Sequence, residues 1–557
     1  MPTANTAGSR NPLISRRAFL AASAAGAVAP AQPARHDTRL RGLMIDAARL
    51  PESPAHYRRI IDFCSEWGFS AILFRLTDDQ GCAVRFASHP ELITHANALT
   101  AKEAAELADY GQRRGVTLIP EVESFGHTRY ITRVPRYAEF EDGDPAGKGF
   151  GGICPVHPEA TRIVSDLYHE AARIFPSLYF HGGCDEVNWG HSERSRQAIA
   201  DTSRSHVWAG YVNSLGEIAG RLGKEFIIWG DVVIHKEPAI LPLLDQRIIV
   251  MDWQYYVPDP EPLRRTAQAL LDQGRRVMGA PAIISCKWGP RCGEAQLRNI
   301  DAFADSYRSL AGPGNLGVVI TNWVPSRYLA RSLWDTYAYG AMALQRGSAD
   351  ARSAAFPEFV GRFYGAAWDA TWSEIFDSYN AITPARPGCA AGWRGPVLPT
   401  PWTTDAELHA ALAAQVGEIP PFGSLREKLA AVDKGVRRHR ADFRSFALSV
   451  EYLEHLFWRN TALREQPTPA TIQTIAERDR VLVEQLDADW NASRPAASPG
   501  KSAALAALGP QDQLLFRMRD AARYSGELAR DPSRLRRILA ARLPGAIPAA
   551  AEAACGF

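Results

Sequence analysis

Charge of one sign is what this chain lacks most plainly. Lys and Arg number 63 against 61 Asp and Glu over 557 residues, a net charge of +2. That balance gives no electrostatic reason to expect nucleic acid or an anionic membrane as partner. Past the start of the chain no apolar run is long enough for a bilayer-spanning helix, so no membrane anchor is expected. The eight cysteines form no C-x-x-C pairs, and Cys286 and Cys292 stand without a matching set. No cysteine-based metal site is therefore expected, disulfides are permitted but not demanded, and no cofactor is expected. No solenoid-type repeat is present. What remains is an ordinary globular composition, 46% hydrophobic, at a length that fits one large domain and a second unit.

The first residues are set apart from this background. Ser15-Arg16-Arg17-Ala18-Phe19-Leu20 is a twin-arginine pattern, followed by a weakly apolar Ala-rich stretch to Val28 and small residues at Ala29, Ala31 and Ala34. Residues 1–34 read as an export signal of the kind that carries folded proteins, with the mature chain periplasmic or secreted. No cysteine follows the apolar stretch, which argues against a lipoprotein anchor.

From about Arg41 to Gln345 short apolar runs alternate with longer amphipathic ones. The runs Gly42–Asp46, Ala71–Leu76, Thr117–Val122, Leu178–His181, Phe226–Trp229, Ile248–Trp253, Val277–Ala282 and Val318–Trp323 read as strands. Tyr57–Trp67, Ala101–Arg114, Glu159–Ile174, Val207–Leu222 and Glu261–Gln273 read as helices between them. Continuous rather than alternating apolar runs are expected of parallel strands buried on both sides. The pattern predicts an α/β fold, a (β/α)8 barrel over residues 35–350, and a mainly helical region over 351–557. In that region helical periodicity runs through Glu407–Arg444, Phe446–Arg464 and Thr471–Trp490, broken at Pro399–Pro401, Pro467–Pro469 and Arg494–Pro499.

Polar and aromatic residues gather where the predicted strands end: Asp46, Asp78, Asp79, Glu121, Asp185, Glu186, Trp229, Trp253 and Trp323. Barrel active sites lie at that end. The most pointed stretch is Tyr179-Phe-His-Gly-Gly-Cys-Asp-Glu-Val-Asn-Trp-Gly190. Adjacent buried acids push their pKa values apart, leaving one ionised and one protonated, which suits acid-assisted cleavage of a glycosidic bond. A solvated acidic pair at a loop start is the bland alternative. Three further chemistries compete: a carboxylate nucleophile, Glu121 or Asp231, opposite Glu186; a sugar-binding barrel without turnover; and a metal hydrolase on His181, Asp185 and His191, whose spacing fits no common zinc pattern.

Four blocks resemble glycoside hydrolase family 20, the β-N-acetylhexosaminidases: Arg41-Gly-Leu-Met-Ile-Asp46-Ala-Ala-Arg49, Leu76-Thr-Asp78-Asp79-Gln-Gly81, Ile119-Pro-Glu-Val-Glu-Ser-Phe-Gly126-His127-Thr128 and His181-Gly-Gly-Cys-Asp185-Glu186. Cys184 stands where the family usually has Gly. The G-C-D-E-V form, with a late I-T-N-W block, looks more like the hexosaminidase-D-like branch, which lacks the usual N-terminal α+β domain. The resemblance implies an exo-acting β-N-acetylhexosaminidase, retaining, in which the 2-acetamido oxygen of the substrate attacks the anomeric carbon. It implies that Asp185 orients the acetamide and Glu186 protonates the leaving oxygen, then activates water. Arg49 would grip sugar hydroxyls and Trp229, Trp253 and Trp323 would wall the pocket. Tyr255 or Tyr256 would supply a hydroxyl to the acetamide, His127 and His181 would support the acids with Asp79 behind His127, and Asn188 and Trp189 would contact the leaving group. The partner implied is an oligosaccharide or glycoconjugate; a homodimer is implied by the branch alone. Pro325 stands where most members place a Glu after the last-strand Trp, and their seventh-strand Tyr has no counterpart around 280–287.

Overall fold

The computed structural model describes residues 39–147, 149–284, 293–382, 422–465, 467–493, 514–531 and 533–534. The expected export signal, the breaks at 399–401 and 494–499, and Cys286 and Cys292 lie outside the described residues.

Eight strands form one parallel sheet that closes on itself: β1 (Leu40–Ile45), β2 (Ala71–Arg75), β3 (Thr117–Glu121), β4 (Tyr179–His181), β5 (Glu225–Trp229), β6 (Ile249–Trp253), β7 (Val277–Ala280) and β8 (Asn315–Asn322). Each pairs with the next, and β8 returns to β1 with Leu40 beside Gly317 and Leu43 beside Ile320. Every predicted strand overlaps one of these. The continuous apolar runs divide as the pleat requires. Met44, Leu73, Ile119, Ile227, Ile249, Met251, Met278 and Val319 fill the barrel. Their neighbours Leu43, Ile72, Phe74, Ile228 and Val250 face the helical ring.

Among the described residues the crossovers use α1 (Pro54–Trp67), α2 (Ala101–Arg113), α3 (Pro158–Ile174), α4 (Arg204–Arg221), α5 (Pro260–Asp272) and α6 (Glu294–Ser309), and α7 (Trp334–Arg346) follows β8. Local chemistry sets their ends. Ser53 caps α1 by accepting the His56 N–H, with Pro54 in the first turn and Gly68 in the left-handed conformation at the end. Thr100 and Glu103 form a reciprocal capping box on α2. Between β5 and β6 the chain makes no long helix. A π turn at Val232–Lys236 and a 3-10 turn at Pro238–Leu243 take its place.

Among the described residues six further helices follow: α8 (Ser348–Phe359), α9 (Ala370–Ile382), α10 (Phe422–Asp433), α11 (Arg440–Arg464), α12 (Pro469–Ser493) and α13 (Leu514–Arg530). The single stretch expected over Glu407–Arg444 is divided, where described, by the turn between α10 and α11; residues 407–421 lie outside the described set. These helices grip the barrel where it closes. Asp442 on α11 takes Arg59 of α1 at 2.8 Å and Trp334 Nε1 of α7 at 3.0 Å. Ser493 at the end of α12 accepts the Ser53 backbone N–H at 2.9 Å, and Asp489 takes Arg331 at 2.5 Å. Leu50 and Leu329, from the loops after β1 and β8, share an apolar cluster with Tyr452, Leu456, Leu482, Leu486, Trp490 and Met518. Among the described residues no helix is long and apolar enough to cross a membrane.

Candidate active site

A buried arginine organises the ends of the first three strands. Arg75 closes β2, and its guanidinium meets Glu121 at 2.6 Å, Asp78 at 2.7 Å and Glu123 at 2.8 Å, with Asp46 at 3.9 Å. A charge in this position is tolerable only because it is paired. One cation facing three carboxylates leaves acid in excess. Burial, against the pull of Arg75, pushes Glu121 up to about 7 and Glu123 well above the usual range. Asp78 goes the other way: burial would raise it, but Arg49 and Arg75 together hold it well below the ordinary carboxylate value. Arg49 reaches Asp78 at 3.1 Å and Asp46 at 3.7 Å. Both guanidinium groups lie over the Trp323 ring, Arg75 at 4.9 Å and Arg49 at 5.2 Å from its centre.

The adjacent acids sit on the loop leaving β4, as the sequence led us to expect. His127 stands beside them, its Nε2 3.5 Å from Glu186 Oε2 and 3.9 Å from Asp185 Oδ1. Its Nδ1 faces Asp78 Oδ1 at 3.3 Å. Burial works against a charge on His127, but Asp78 and Asp185 outweigh it and hold its pKa well above the ordinary value. The carboxylate behind His127 is thus Asp78, where the sequence pointed to Asp79. Asp79 is turned by one residue into the neighbouring loop, where it accepts the backbone N–H groups of Arg129 and Gly151. Phe150 lies against the His127 ring at 4.1 Å.

Asp185 is nearly enclosed, its side chain 8% exposed, while the Glu186 side chain is 38% exposed. Burial raises Glu186, but the hydrogen bond and charge of His127 prevail and its pKa lies below the ordinary value. The cation beside Glu186 thus favours its ionised form, where burial alone would favour the protonated one. The loop geometry is costly. Of five non-glycine residues with left-handed backbone among the described residues, His127, Cys184, Glu186 and Val324 all stand at this mouth. Two glycines admit the crossing chains. A Cβ on Gly126 would come within 2.2 Å of the Asp185 carbonyl, and one on Gly183 within 1.9 Å of the Glu123 carboxylate.

Aromatic side chains from the late strands line the other side. Trp229 is wholly buried, donates Nε1 to Glu121 at 2.8 Å and lies 5.6 Å from Trp323. Trp323 donates Nε1 to the Tyr255 hydroxyl at 2.8 Å, and Tyr255 stacks on Trp253 at 4.9 Å. Tyr256 meets Tyr255 edge-on. His181 is buried against Trp229 at 4.5 Å and accepts the Gly183 N–H on Nδ1. Burial and the nearby Arg75 keep it neutral. Trp189 does not join the group: it is buried on Phe125 with Arg204 over its ring, which makes it core rather than a leaving-group contact.

Two sets of side chains are close enough to share a cation, Asp78 with Asp79 and His127, and His127 with Asp185 and Glu186, each offering atoms within 4.8 Å of one another. His181, Asp185 and His191 do not form such a set among the described residues; His191 is turned out to Asn188. The sequence reading passed over Arg75, Glu123 and Lys236. A charged residue ending the apolar run Ala-Ile-Leu-Phe was a signal for the first.

Residues 39–285 match the family description "Glycosyl hydrolase family 20, catalytic domain". A β-hexosaminidase of Akkermansia muciniphila is 30% identical over 167 residues, 26% of this chain and 34% of that protein. A β-N-acetylhexosaminidase of Cellulomonas fimi is 27% identical over 263 residues, 43% of this chain and 47% of that protein. The chain spans about a third to a half of the length of these curated relatives. Among solved structures, a Flavobacterium johnsoniae chitobiase aligns with a TM-score of 0.45 at 16% identity, covering 79% of this chain and 74% of that one.

Proposed function

Residues 39–285 of this chain belong to glycosyl hydrolase family 20, and from that premise we propose an exo-acting β-N-acetylhexosaminidase that releases terminal β-linked N-acetylhexosamine with retention. The observation that carries the reading is the placement of Asp185 and Glu186 side by side, with His127 within 4 Å of both and an aromatic wall opposite. Asp185, enclosed beside a cation, is suited to hold the acetamido group and balance the positive charge of a cyclised oxazolinium intermediate. Glu186, the more exposed acid, is suited to give its proton to the departing glycosidic oxygen as the acetamide oxygen closes on the anomeric carbon. It then takes a proton from the water that opens the ring. Glu121 is a weaker fit as a direct nucleophile, because it is wholly buried and paired with Arg75 at 2.6 Å.

The test compares wild type, Asp185→Asn and Glu186→Gln on aryl β-GlcNAc and β-GalNAc, with a thiazoline that mimics the cyclised intermediate. The expected outcome is turnover by wild type, thiazoline inhibition, and losses on the order of 10²–10⁴ in both variants for leaving groups that need the acid. A folded wild type that cleaves neither substrate and ignores the thiazoline would sink the reading. The twin-arginine pattern at Arg16–Arg17 further supports export, with the enzyme acting on glycans outside the cytoplasm. Replacing both arginines by lysine is expected to leave the protein in the cytoplasmic fraction.

A further inference from the structure

Glu186 holds a left-handed backbone with φ of 46°, and its carboxyl has His127 as its close ionic neighbour. Its backbone has a further tie outside its own loop. The loop after β5 supplies a contact: Asp231 Oδ2 accepts the Glu186 backbone N–H at 3.2 Å. The same oxygen accepts Lys236 Nζ at 2.6 Å. The π turn at Val232–Lys236 brings that ammonium back over Asp231, five residues earlier, and such turns recur at functional sites. Asp231 is buried, and its Oδ1 takes no hydrogen bond among the described residues, so one oxygen makes both contacts.

We propose that Asp231, held by Lys236, is a positioning residue for the acid: it anchors the backbone of Glu186 from β5 and so aims its carboxyl at the leaving-group oxygen. This rests on the reading of Glu186 as the acid. The Lys236 ammonium offsets the cost of burying a carboxylate near Asp185. It leaves Asp231 able to accept the Glu186 N–H.

A positioning role for the acid has a signature that a general loss of structure does not. Leaving groups that depart without a proton are indifferent to it. The experiment measures kcat/KM for 2,4-dinitrophenyl and phenyl β-N-acetylglucosaminides with wild type, Asp231→Ala, Asp231→Asn and Lys236→Met, alongside each variant's melting temperature. For Asp231→Ala we expect a loss of about 10²-fold on the phenyl substrate and under about threefold on the dinitrophenyl one. Asp231→Asn keeps an oxygen for the Glu186 N–H and is expected to recover most of the phenyl activity. Lys236→Met is expected to fall between the two. Equal losses on both substrates, or full phenyl activity in Asp231→Ala, would overturn the proposal. A folded wild type inactive on both substrates would instead remove the reading of Glu186 on which it stands.

Discussion

His127 is the residue through which the two acids feel the rest of the barrel. Its raised pKa keeps it cationic, and that cation lowers Glu186. The profile of kcat/KM reports the free enzyme, so activity through a protonated Glu186 should fall as pH rises past a low value. Removing the cation favours the neutral carboxyl. His127→Gln is therefore expected to move that falling limb to higher pH in a kcat/KM profile on a substrate with a poor leaving group. Glu121 offers a second readout. Its pKa in the fold, about 7, exceeds the ordinary 4.5, so the folded state binds the extra proton between those values and stability drops as pH rises through them. Glu121→Gln keeps the acceptor for Trp229 and removes the titration. Its melting temperature should fall less than that of wild type between about pH 5 and pH 8. The two acids and most of the aromatic wall were legible in the sequence because polar residues ending apolar runs are conspicuous. The pairing of His127 was not, since one residue's difference in loop direction decides between Asp78 and Asp79.

At the level of elements, the loop after β4 carries the site and has the least freedom. Gly183 has φ of 68° and sits against the Glu123 carboxylate. Gly183→Ala adds a strained backbone and a clash, so a loss of about 1–3 kcal/mol in denaturant unfolding is expected, with activity falling alongside. The strands themselves were readable because parallel strands buried on both faces leave unbroken apolar runs, as in Ile248–Val250. The connection from β5 to β6 was less so. A helix there would have periodic apolar spacing, whereas Val232–Leu243 is built from short turns whose geometry depends on Asp231 and Lys236 meeting.

For the whole molecule, the helices after residue 350 are joined to the barrel through a few buried polar contacts as well as apolar surface. Asp442 is central. Burial raises its carboxyl, but His439, Arg59 and Trp334 outweigh that and hold it below the ordinary 3.8. Its contribution is thus present above that value and lost as pH falls through the lower folded one. Asp442→Ala leaves the Trp334 N–H and Arg59 without their acceptor, and a loss of about 1–3 kcal/mol is expected by denaturant titration. The helical character of this region was legible from its periodicity. Its attachment was not, because the contacting residues Ser53, Arg59 and Arg331 belong to barrel segments far away in the chain.

The pairing of β1 with β8 also sets an order of events in time. As the chain emerges from the ribosome, the first strand has one neighbour available early, β2, and must wait for its other until nearly all of the barrel has been made. The residues that fasten the seam, Asp442 and Ser493, arrive later still. Until β8 is made β1 presents an open edge of unpaired N–H and C=O groups, the kind of surface on which nascent chains stick to one another. Closure between residues so distant in the chain is slow. A ribosome-bound fragment ending before α11 should therefore stay bound to chaperones, and release should come only after the last helices have been synthesised.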